Sequence, residues 1–487
     1  MKEMKKFFLY LKYFLKRILQ NSLIAYIATF IILLSLKRLS NSKKKNAIKI
    51  IVFSDFRWQE GINILNRDSK IIIYKIPDII VNYINSFFNA KRLLDYYLQN
   101  ESYLSKKNKK EKILSGKPLS LHYFKTKDKK VLNERIKKEK FVKILVKNLL
   151  YFYKINCGAS CGFAYSSEHD WISGFHNGGI PFVILYKEMC NCHNKHIKKR
   201  IRYFKEINYK FLGTAMGVIN QTIRDEIKKS NLIPNTYIKD IGFLRFDDIL
   251  KKRKRISVNK RKGITLFSFS PFTTFITSKI FRNCIKKGNF ENYNQHFSDK
   301  NKEGFAKLFL NTHKIFIKLA EKNKNTNFYL KFKFTDYLDD PKCKEILINF
   351  IKKVTGKDPK RIKNLILTNE NSISLIKKSK NIISFNSSVI VESVACGVVP
   401  IVPIFDEAKG KYSENVFFKD DKYNIHFADT KNDFINLINL SLKNKIKLIQ
   451  NKKNNDFLKR YINYTKPEAK TNTILFLKKV IAEYNRV

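Results

Sequence analysis

The sequence predicts an α/β protein with two Rossmann-like domains, preceded by a helix that is both hydrophobic and basic. Apolar stretches of strand length alternate with helical stretches along most of the chain, which indicates parallel sheets. The length of 487 residues exceeds what one hydrophobic core usually supports. The segment from Asn381 to Pro403 has the order of apolar strand, Ser-rich turn, short helix and second apolar strand. Sheets that bind a phosphorylated ligand at their strand ends have this order.

The first 45 residues predict a membrane-associating helical segment. Residues 18–36 carry no charge and are bracketed by Lys16-Arg17 and Lys37-Arg38, a length that just suffices to span a bilayer. Residues 7–19 alternate aromatic, leucine and lysine residues, which is typical of a helix lying in the membrane interface. An ordinary buried helix is the alternative. Positive charge on both flanks gives no orientation, and the absence of a small-residue cleavage site disfavours a signal peptide.

The predicted first domain covers residues 46–250. Helices are expected at residues 79–99 and 141–154, and residues 106–140 are expected to form an irregular, lysine-rich insertion. Its expected strands are Asn46–Asp55, Ile71–Ile76, Cys161–Tyr165, Ile180–Tyr186, Met216–Asn220 and Tyr237–Ile241.

A basic linker at residues 251–262 leads to a second domain at 263–450, and the helices of residues 451–487 are expected to cross back to the first domain. The last of these helices is predicted at Asn472–Tyr484. Strands of the second domain are expected at Gly263–Phe269, Asn327–Phe334, Asn364–Thr368, Ile382–Phe385 and Val398–Val402.

The turn after Phe385 is the strongest candidate for ligand binding. Asn386, Ser387 and Ser388 are residue types that cap helices, and Glu392 is the only charged residue of the apolar helix that follows. Because Ser388 and Glu392 are four residues apart, they should share one helix face. Such a place beside a helix N-terminus suits a phosphate and a hydroxyl-bearing sugar. A buried Glu paired with lysine, and a Ser acting as a plain cap, remain the alternative.

Three segments together resemble a known family. Paired serines, a Glu four residues on and then small-Gly-x-x-Pro resemble the nucleotide-binding half of GT-B glycosyltransferases, especially those of bacterial capsular and surface polysaccharides. Gly179–Glu188 (GIPFVILYKE) and Ile241–Asp247 (IGFLRFD) resemble two first-domain segments of these proteins. The CDP-glycerol glycerophosphotransferases carry a similar Gly-Pro-Arg-x-Asp. Leu244 stands where many relatives have Pro, and Lys331-Phe-Lys333 where many have Lys or Arg followed by His-Pro, so the donor stays open.

The chemistry of glycosyl transfer then suggests site residues. Ser270, Lys333, Ser387 and Ser388 are candidates for binding the donor phosphates, and Glu392 for holding a ribose or sugar hydroxyl. Arg245 is grouped with the donor-binding residues, with an ion pair to Asp247 as its alternative. The first domain should supply the base that deprotonates the acceptor, with Glu188 as first choice and Glu168 with His169 as second. A surface carboxylate paired with lysine is the alternative for each. No cofactor and no metal are expected, since basic groups and helix N-termini can neutralise the leaving group.

Composition limits the partners. The formal charge of +56 accompanies an excess of Lys, Asn, Ile, Phe and Tyr, which an AT-rich genome produces without selection for a polyanion. No RNA-binding signature appears, so nucleic acid is not expected as a partner. The seven cysteines favour a reducing compartment, and the cluster Cys190-x-Cys192-His193 with His196 lacks the distant second pair of a structural zinc site. Cys157 and Cys161 are expected to be core thiols.

The predicted function is transfer of a sugar from a nucleotide-activated donor to a glycan or lipid-linked acceptor, at the cytoplasmic face of a bacterial inner membrane. A glycerophosphotransferase or a nucleotide-sugar 2-epimerase on the same fold is an alternative. A non-enzymatic basic binding protein with an inactive cleft is a third hypothesis.

Overall fold

A computed structural model of the chain resolves two α/β units. The first contains the described residues up to Glu188, those from Ile197 to Asp247 and those from Glu468 onward; the second runs from Asp248 to Pro467. The structure describes residues 22–39, 46–53, 58–88, 129–162, 166–188, 197–198, 201–202, 211–233, 237–251, 261–269, 305–331, 345, 348–349, 352, 356–410, 412–446 and 451–485.

The first unit is built on a seven-stranded sheet in the order β1-β3-β2-β4-β5-β6-β7. All its pairings are parallel except that of the short edge strand β1 with β3. Its strands are β1 (Lys37–Arg38), β2 (Ile48–Val52), β3 (Ile71–Lys75), β4 (Cys157–Ser160), β5 (Phe182–Leu185), β6 (Ala215–Val218) and β7 (Ile238–Asp240). Its helices include α1 (Ser22–Leu34), α2 (Gln59–Asn66), α3 (Asp78–Phe87), α4 (Lys129–Asn148), α5 (Ser166–Asn177), α6 (Gln221–Lys229) and α7 (Arg245–Lys251), the last of which runs on past the division between the units.

The second unit holds a six-stranded, wholly parallel sheet in the order β10-β9-β8-β11-β12-β13. Its strands are β8 (Gly263–Phe267), β9 (Asn327–Lys331), β10 (Leu365–Thr368), β11 (Ser379–Ile383), β12 (Val399–Pro403) and β13 (His426–Ala428). Its helices include α8 (Ala306–Lys322), α9 (Ser372–Lys378), α10 (Val389–Ala395), α11 (Lys431–Leu442) and α12 (Asn451–Ile462), and the chain ends with α13 (Ala469–Tyr484).

Each sheet has one place where the strand order reverses. In the first unit the chain runs from β2 outward to β3 and then returns to β4 on the other side of β2. In the second it runs from β8 through β9 and β10 and returns to β11 beside β8. Ligands of open parallel sheets bind at the carboxyl ends of the strands at such a reversal. The predicted class, α/β with two Rossmann-like units as in the GT-B fold, is confirmed.

Strand β4 begins four residues before the expected strand at residues 161–165. Its sequence, Cys-Gly-Ala-Ser, lacks the branched and aromatic residues that mark strands. The small residues are required by packing, because a Cβ on Gly158 would lie 2.6 Å from the Phe182 ring and 2.7 Å from the Phe175 ring. The expected core position of Cys157 and Cys161 is confirmed, since both are buried.

Helix α4 also begins earlier than expected and includes residues 129–140, which the sequence suggested were irregular. Lysine is a good helix former, and part of the buried face of this helix packs against α5. Asp170 of α5 lies 3.2 Å from Arg135 Nε and 3.5 Å from Lys138 Nζ of α4. These buried ion pairs join the two helices.

Helix α13 returns to the first unit, whereas α12 belongs to the second. The returning segment therefore begins near Glu468 and not at residue 451, the expected boundary. Ile474, Leu477 and Val480 of α13 belong to the same hydrophobic core as β2, β3 and β4.

The N-terminal helix extends from Ser22 to Leu34 and packs against α4. Among the helices that the structure describes, none combines the length and the apolar character needed to cross a membrane.

Candidate functional site

The strand-order reversal of the second unit brings Ser268 and the Asn386–Ser388 turn to neighbouring strand ends. Ser268 follows β8, and the turn follows β11, which pairs with β8 along its length. Ser268 and the turn are half-exposed, whereas Phe385 and Ile390 on either side of the turn are buried. The turn is thus accessible at the surface of its unit, and the buried residues on either side hold it in place.

His313 of α8 fixes the orientation of the Ser268 hydroxyl. The Nδ1 atom of His313 lies 2.7 Å from the Phe309 carbonyl oxygen, which can only accept, so Nδ1 carries the proton. Nε2 is then an acceptor and receives the Ser268 hydroxyl proton at 3.0 Å. Burial lowers the pKa of His313 to about 4, so the ring is neutral at pH 7. Ser268 therefore presents only lone pairs to a ligand, which suits a sugar or ribose hydroxyl better than a phosphate oxygen.

The buried His313 ring should make the protein acid-sensitive. An unfolded histidine takes up a proton near pH 6.5, whereas the folded ring does so only near pH 4. Stability should therefore fall as pH drops from 6.5 to 4, by up to about 3 kcal/mol. We expect His313→Gln to flatten this slope in urea unfolding measured across that range. His176→Gln, at an exposed histidine, is the control and should unfold with the wild-type slope. Equal slopes for wild type and His313→Gln would contradict this assignment.

The Ser-rich turn is held by hydrogen bonds beyond those of a simple helix cap. Asn386 adopts a left-handed conformation with φ of 48°, and its Oδ1 accepts a hydrogen bond from the Phe417 backbone at 2.9 Å. Ser387 Oγ accepts from the Val389 N–H at 3.3 Å. Ser388 occupies the N-cap position but donates to Glu392 Oε1 at 3.3 Å instead of capping the helix. The predicted common face of Ser388 and Glu392 is confirmed, and Glu392 is buried.

A desolvated carboxyl lies at the strand-order reversal of the first unit. Glu168, in the first turn of α5, is buried, and the hydroxyl of Ser160 at the end of β4 is 3.1 Å from its Oε2. Burial raises the pKa of Glu168 to about 7, against the smaller opposing effects of Ser160 and Lys187. Ser160 Oγ also lies 3.0 Å from the Gly162 carbonyl oxygen. The hydroxyl can thus donate to ionised Glu168, or accept from its protonated form while donating to Gly162.

Lys187 and Glu188 lie near this carboxyl at the end of β5. The Lys187 ammonium is 4.0 Å from Glu188 Oε1. Glu168, Lys187 and Glu188 all act electrostatically on the buried Cys161 thiol, and burial raises the pKa of that thiol to about 12. The structure therefore brings the two predicted bases, Glu168 and Glu188, into one polar cluster. Cys161 stays protonated there and is not a nucleophile.

A small open pocket of about 50 Å³ lies at the carboxyl ends of β5 and β7, and its lining includes Tyr186, Lys187 and Arg245. Arg245 Nε pairs with Glu60 Oε2 at 3.1 Å. Gly242, in the Ile241–Asp247 motif, has a φ of +85°, a conformation that favours glycine at this bend. Arg245 thus lies in the first unit, whereas Ser387, Ser388 and Glu392 lie in the second.

The His169 side chain contacts α4, whereas the Glu168 side chain contacts Ser160. Its Nδ1 lies 3.0 Å from Arg135 Nη2, in the buried contact between α4 and α5. Burial lowers the pKa of His169, opposed by the hydrogen bond to Asp170. The structure gives His169 a place in helix packing.

Other predicted residues lie outside the part of the chain that the structure describes. They are Ser270, Lys333 and the cluster Cys190, Cys192, His193 and His196. Among the residues that are described, no group of three or more His, Cys, Asp or Glu side chains could hold a metal ion.

Sequence reasoning missed Ser160 and His313. Ser160 follows a Gly and an Ala in a strand without strand-forming residues, and so gave no local signal. His313 is one of two adjacent buried polar residues of α8, with Thr312, and it lies four residues after Phe309. That spacing allows its bond to the Phe309 carbonyl and was the only available signal.

No protein-family model and no curated protein matches the chain. The chain is similar to several solved structures. One is UDP-GlcNAc 2-epimerase from Neisseria meningitidis bound to UDP-GlcNAc, with a TM-score of 0.45 and 11% sequence identity. The match covers 89% of this chain and 99% of that one. Another is α,α-trehalose 6-phosphate synthase from Burkholderia multivorans, with a TM-score of 0.42 and 9% identity over 90% of this chain and 97% of that one. At these scores no ligand or reaction is carried over, and the fold assignment depends on the strand orders above.

Proposed function

We propose that this protein is a transferase that moves a sugar, or a sugar-like unit, from a nucleotide-activated donor to a hydroxyl of a surface polysaccharide or lipid-linked acceptor. The observation that carries the proposal is the difference between the two strand-order reversals. One presents hydroxyl and amide groups around Ser268 and residues 386–388, and the other presents the titratable carboxyl of Glu168. We place the reaction at the cytoplasmic face of a bacterial inner membrane, where such donors are available.

Donor binding is assigned to the second unit. The oriented lone pairs of Ser268 accept a ligand hydroxyl, and Ser387 and Ser388 contact the phosphate or sugar portion of the donor. Glu392 orients the Ser388 hydroxyl through their 3.3 Å contact. Hydroxyl and amide groups that are already positioned lose little freedom on binding.

Proton abstraction is assigned to Glu168. General bases work best when their pKa lies near the working pH, and a value of about 7 meets that condition. Glu168 would take the proton of the acceptor hydroxyl as it attacks the donor carbon, and the nucleoside diphosphate would leave with the bonding electrons. Ser160 holds the carboxyl in both protonation states, and Lys187 favours its ionised form.

The test is donor binding by calorimetry across a panel of nucleotide sugars. Ser388→Ala should weaken binding about fivefold, because one hydrogen bond to the ligand contributes about 1 kcal/mol. Ser374→Ala, at an exposed serine of α9, is the matched control and should bind as wild type. Identical affinities for these two variants would contradict the assigned donor site.

Product analysis separates the reactions. Label transfer from the donor to a lipid or glycan fraction supports the proposal. Conversion of free UDP-GlcNAc to its C2 epimer without an acceptor would instead indicate an epimerase. Binding of RNA at moderate salt with no binding of any nucleotide sugar would indicate a non-enzymatic protein.

A further inference from the structure

Helix α1 lies alongside α4, with one narrow face buried. Ala25, Thr29 and Leu33, spaced four residues apart, form that face. Asn148 of α4 donates to Thr29 Oγ1 at 2.7 Å, and the Tyr153 hydroxyl donates to the Leu33 carbonyl oxygen at 2.9 Å. These polar contacts fix the rotation of α1 about its axis, so its opposite face must point away from α4.

That opposite face exposes large apolar side chains that are continuous with two aromatic residues beyond α4. The α1 residues are Leu23, Ile27, Phe30, Ile31 and Leu34, from 42% to 72% exposed. A π-helical turn at Leu149–Tyr153 ends α4 and leaves Tyr151 and Phe152 exposed. The ring centres of Phe30 and Phe152 are 5.3 Å apart, and those of Phe152 and Tyr151 are 4.8 Å apart. The exposed side chains therefore form one patch, which we call the α1–α4 face.

Positive charge borders the α1–α4 face. Lys140, Lys143 and Lys147 are exposed along one stripe of α4 that continues to Tyr151, and Lys154 lies 5.4 Å from the Tyr151 ring centre. Lys37 and Arg38 are exposed just after α1. In the described parts of α1 and α4, no residue classed as exposed is acidic.

We propose that the α1–α4 face binds the surface of an anionic lipid bilayer, with α1 lying in the plane of the membrane. Aliphatic side chains enter the acyl boundary, aromatic rings settle at the headgroup level and lysines contact lipid phosphates. A second copy of the chain is a poorer occupant, because a symmetric contact would bring the lysine stripes together. The inference deepens the proposed function by placing the enzyme where a lipid-linked acceptor is found.

The test is sedimentation of the full chain with vesicles, without any donor. We expect binding to vesicles of mixed phosphatidylcholine and phosphatidylglycerol, weak binding to phosphatidylcholine alone, and loss of binding as salt is raised. Calorimetry with a nucleotide sugar on the same preparations keeps the two proposals separate, because donor binding does not depend on this face.

Two sets of variants define the surface. Replacing Lys140, Lys143 and Lys147 by Gln should weaken binding to the anionic vesicles by about 100-fold, since each lysine contributes about fivefold. The control is the matched lysine stripe of α8, Lys314→Gln, Lys318→Gln and Lys322→Gln. Tyr151→Ser should weaken binding about tenfold, whereas Tyr423→Ser, equally exposed at 71% in the second unit, should not.

Three results of the vesicle experiments would overturn the inference. The first is equal binding to neutral and anionic vesicles. The second is an equal loss of vesicle binding for the α4 and α8 lysine sets. The third is vesicle binding that Tyr151→Ser leaves unchanged. The last would mean that another part of the chain binds the lipid or covers this face. Concentration-dependent dimerisation that Tyr151→Ser abolishes, without lipid binding, would assign the face to a second copy.

Discussion

Glu168→Gln should make the protein more stable at pH 8 and, at the same time, almost inactive. The folded protein holds the Glu168 carboxyl at a pKa of about 7, above the 4.5 of an unperturbed glutamate. The folded state therefore prefers the protonated form. This preference costs nothing below pH 4.5, reduces stability progressively from pH 4.5 to 7, and reaches a penalty of about 3 kcal/mol above pH 7.

Glutamine imitates the protonated carboxyl and carries no charge at any pH. The variant should therefore equal wild type near pH 4.5 and exceed it by up to about 3 kcal/mol at pH 8, as measured by urea unfolding at both values. Release of nucleoside diphosphate from the donor should fall by about 100- to 10,000-fold, because the amide cannot accept the acceptor proton. Donor affinity should stay within twofold of wild type, about 0.4 kcal/mol, since the assigned donor residues lie in the second unit.

Glu188→Gln is the matched control, because Glu188 belongs to the same cluster and was the base that the sequence favoured. It is half-exposed and has Lys187 as a neighbour, so its replacement should change stability by less than about 1 kcal/mol. If Glu188→Gln abolishes turnover while Glu168→Gln does not, the base is Glu188. If Glu168→Gln shows no gain at pH 8, the carboxyl is not desolvated as the structure indicates.

The sequence predicted those parts of the fold whose signals are local. Strands rich in branched residues, such as β3 and β5, appeared close to their observed bounds, and the spacing of Ser388 and Glu392 placed them on one face. Helical spacing is a property of neighbouring residues, so a single sequence reveals it.

Features fixed by distant contacts were not predictable in the same way. Strand β4 consists of small residues because Phe175 and Phe182 occupy the space above Gly158. The helix at residues 129–140 is joined to α5 by ion pairs with Asp170, more than thirty residues later in the chain. The raised pKa of Glu168 follows from burial alone, which its flanking residues Ser167 and His169 do not predict. The sequence therefore proposed two candidate bases, of which the structure buries Glu168 and leaves Glu188 half-exposed.

Arg245 and Asp247 of the Ile241–Asp247 motif each contact a different part of the first unit. The sequence grouped Arg245 with the donor-binding residues and gave an ion pair between Arg245 and Asp247 as the alternative. In the structure Arg245 pairs with Glu60, whereas Asp247 accepts hydrogen bonds from the backbone N–H groups of Ala469 at 3.1 Å and Lys470 at 2.7 Å. Asp247 thus acts as the N-terminal cap of α13 from a distant part of the chain.

Asp247→Ala should accordingly destabilise the first unit by about 4 kcal/mol. The carboxylate is buried, and its removal leaves two N–H groups of α13 without their acceptor, each costing about 1–3 kcal/mol. Loosening α13 also withdraws Ile474, Leu477 and Val480 from the core that they share with β2 and β4. Asp247→Asn keeps one acceptor oxygen and should lose about half as much, while Asp248→Ala, at the half-exposed neighbouring residue, should lose less than about 1 kcal/mol. Urea unfolding gives these values, and hydrogen exchange should show faster exchange of the α13 amides in Asp247→Ala than in Asp248→Ala. If the two alanine variants are equally stable, α13 is held by its apolar face and not by this cap.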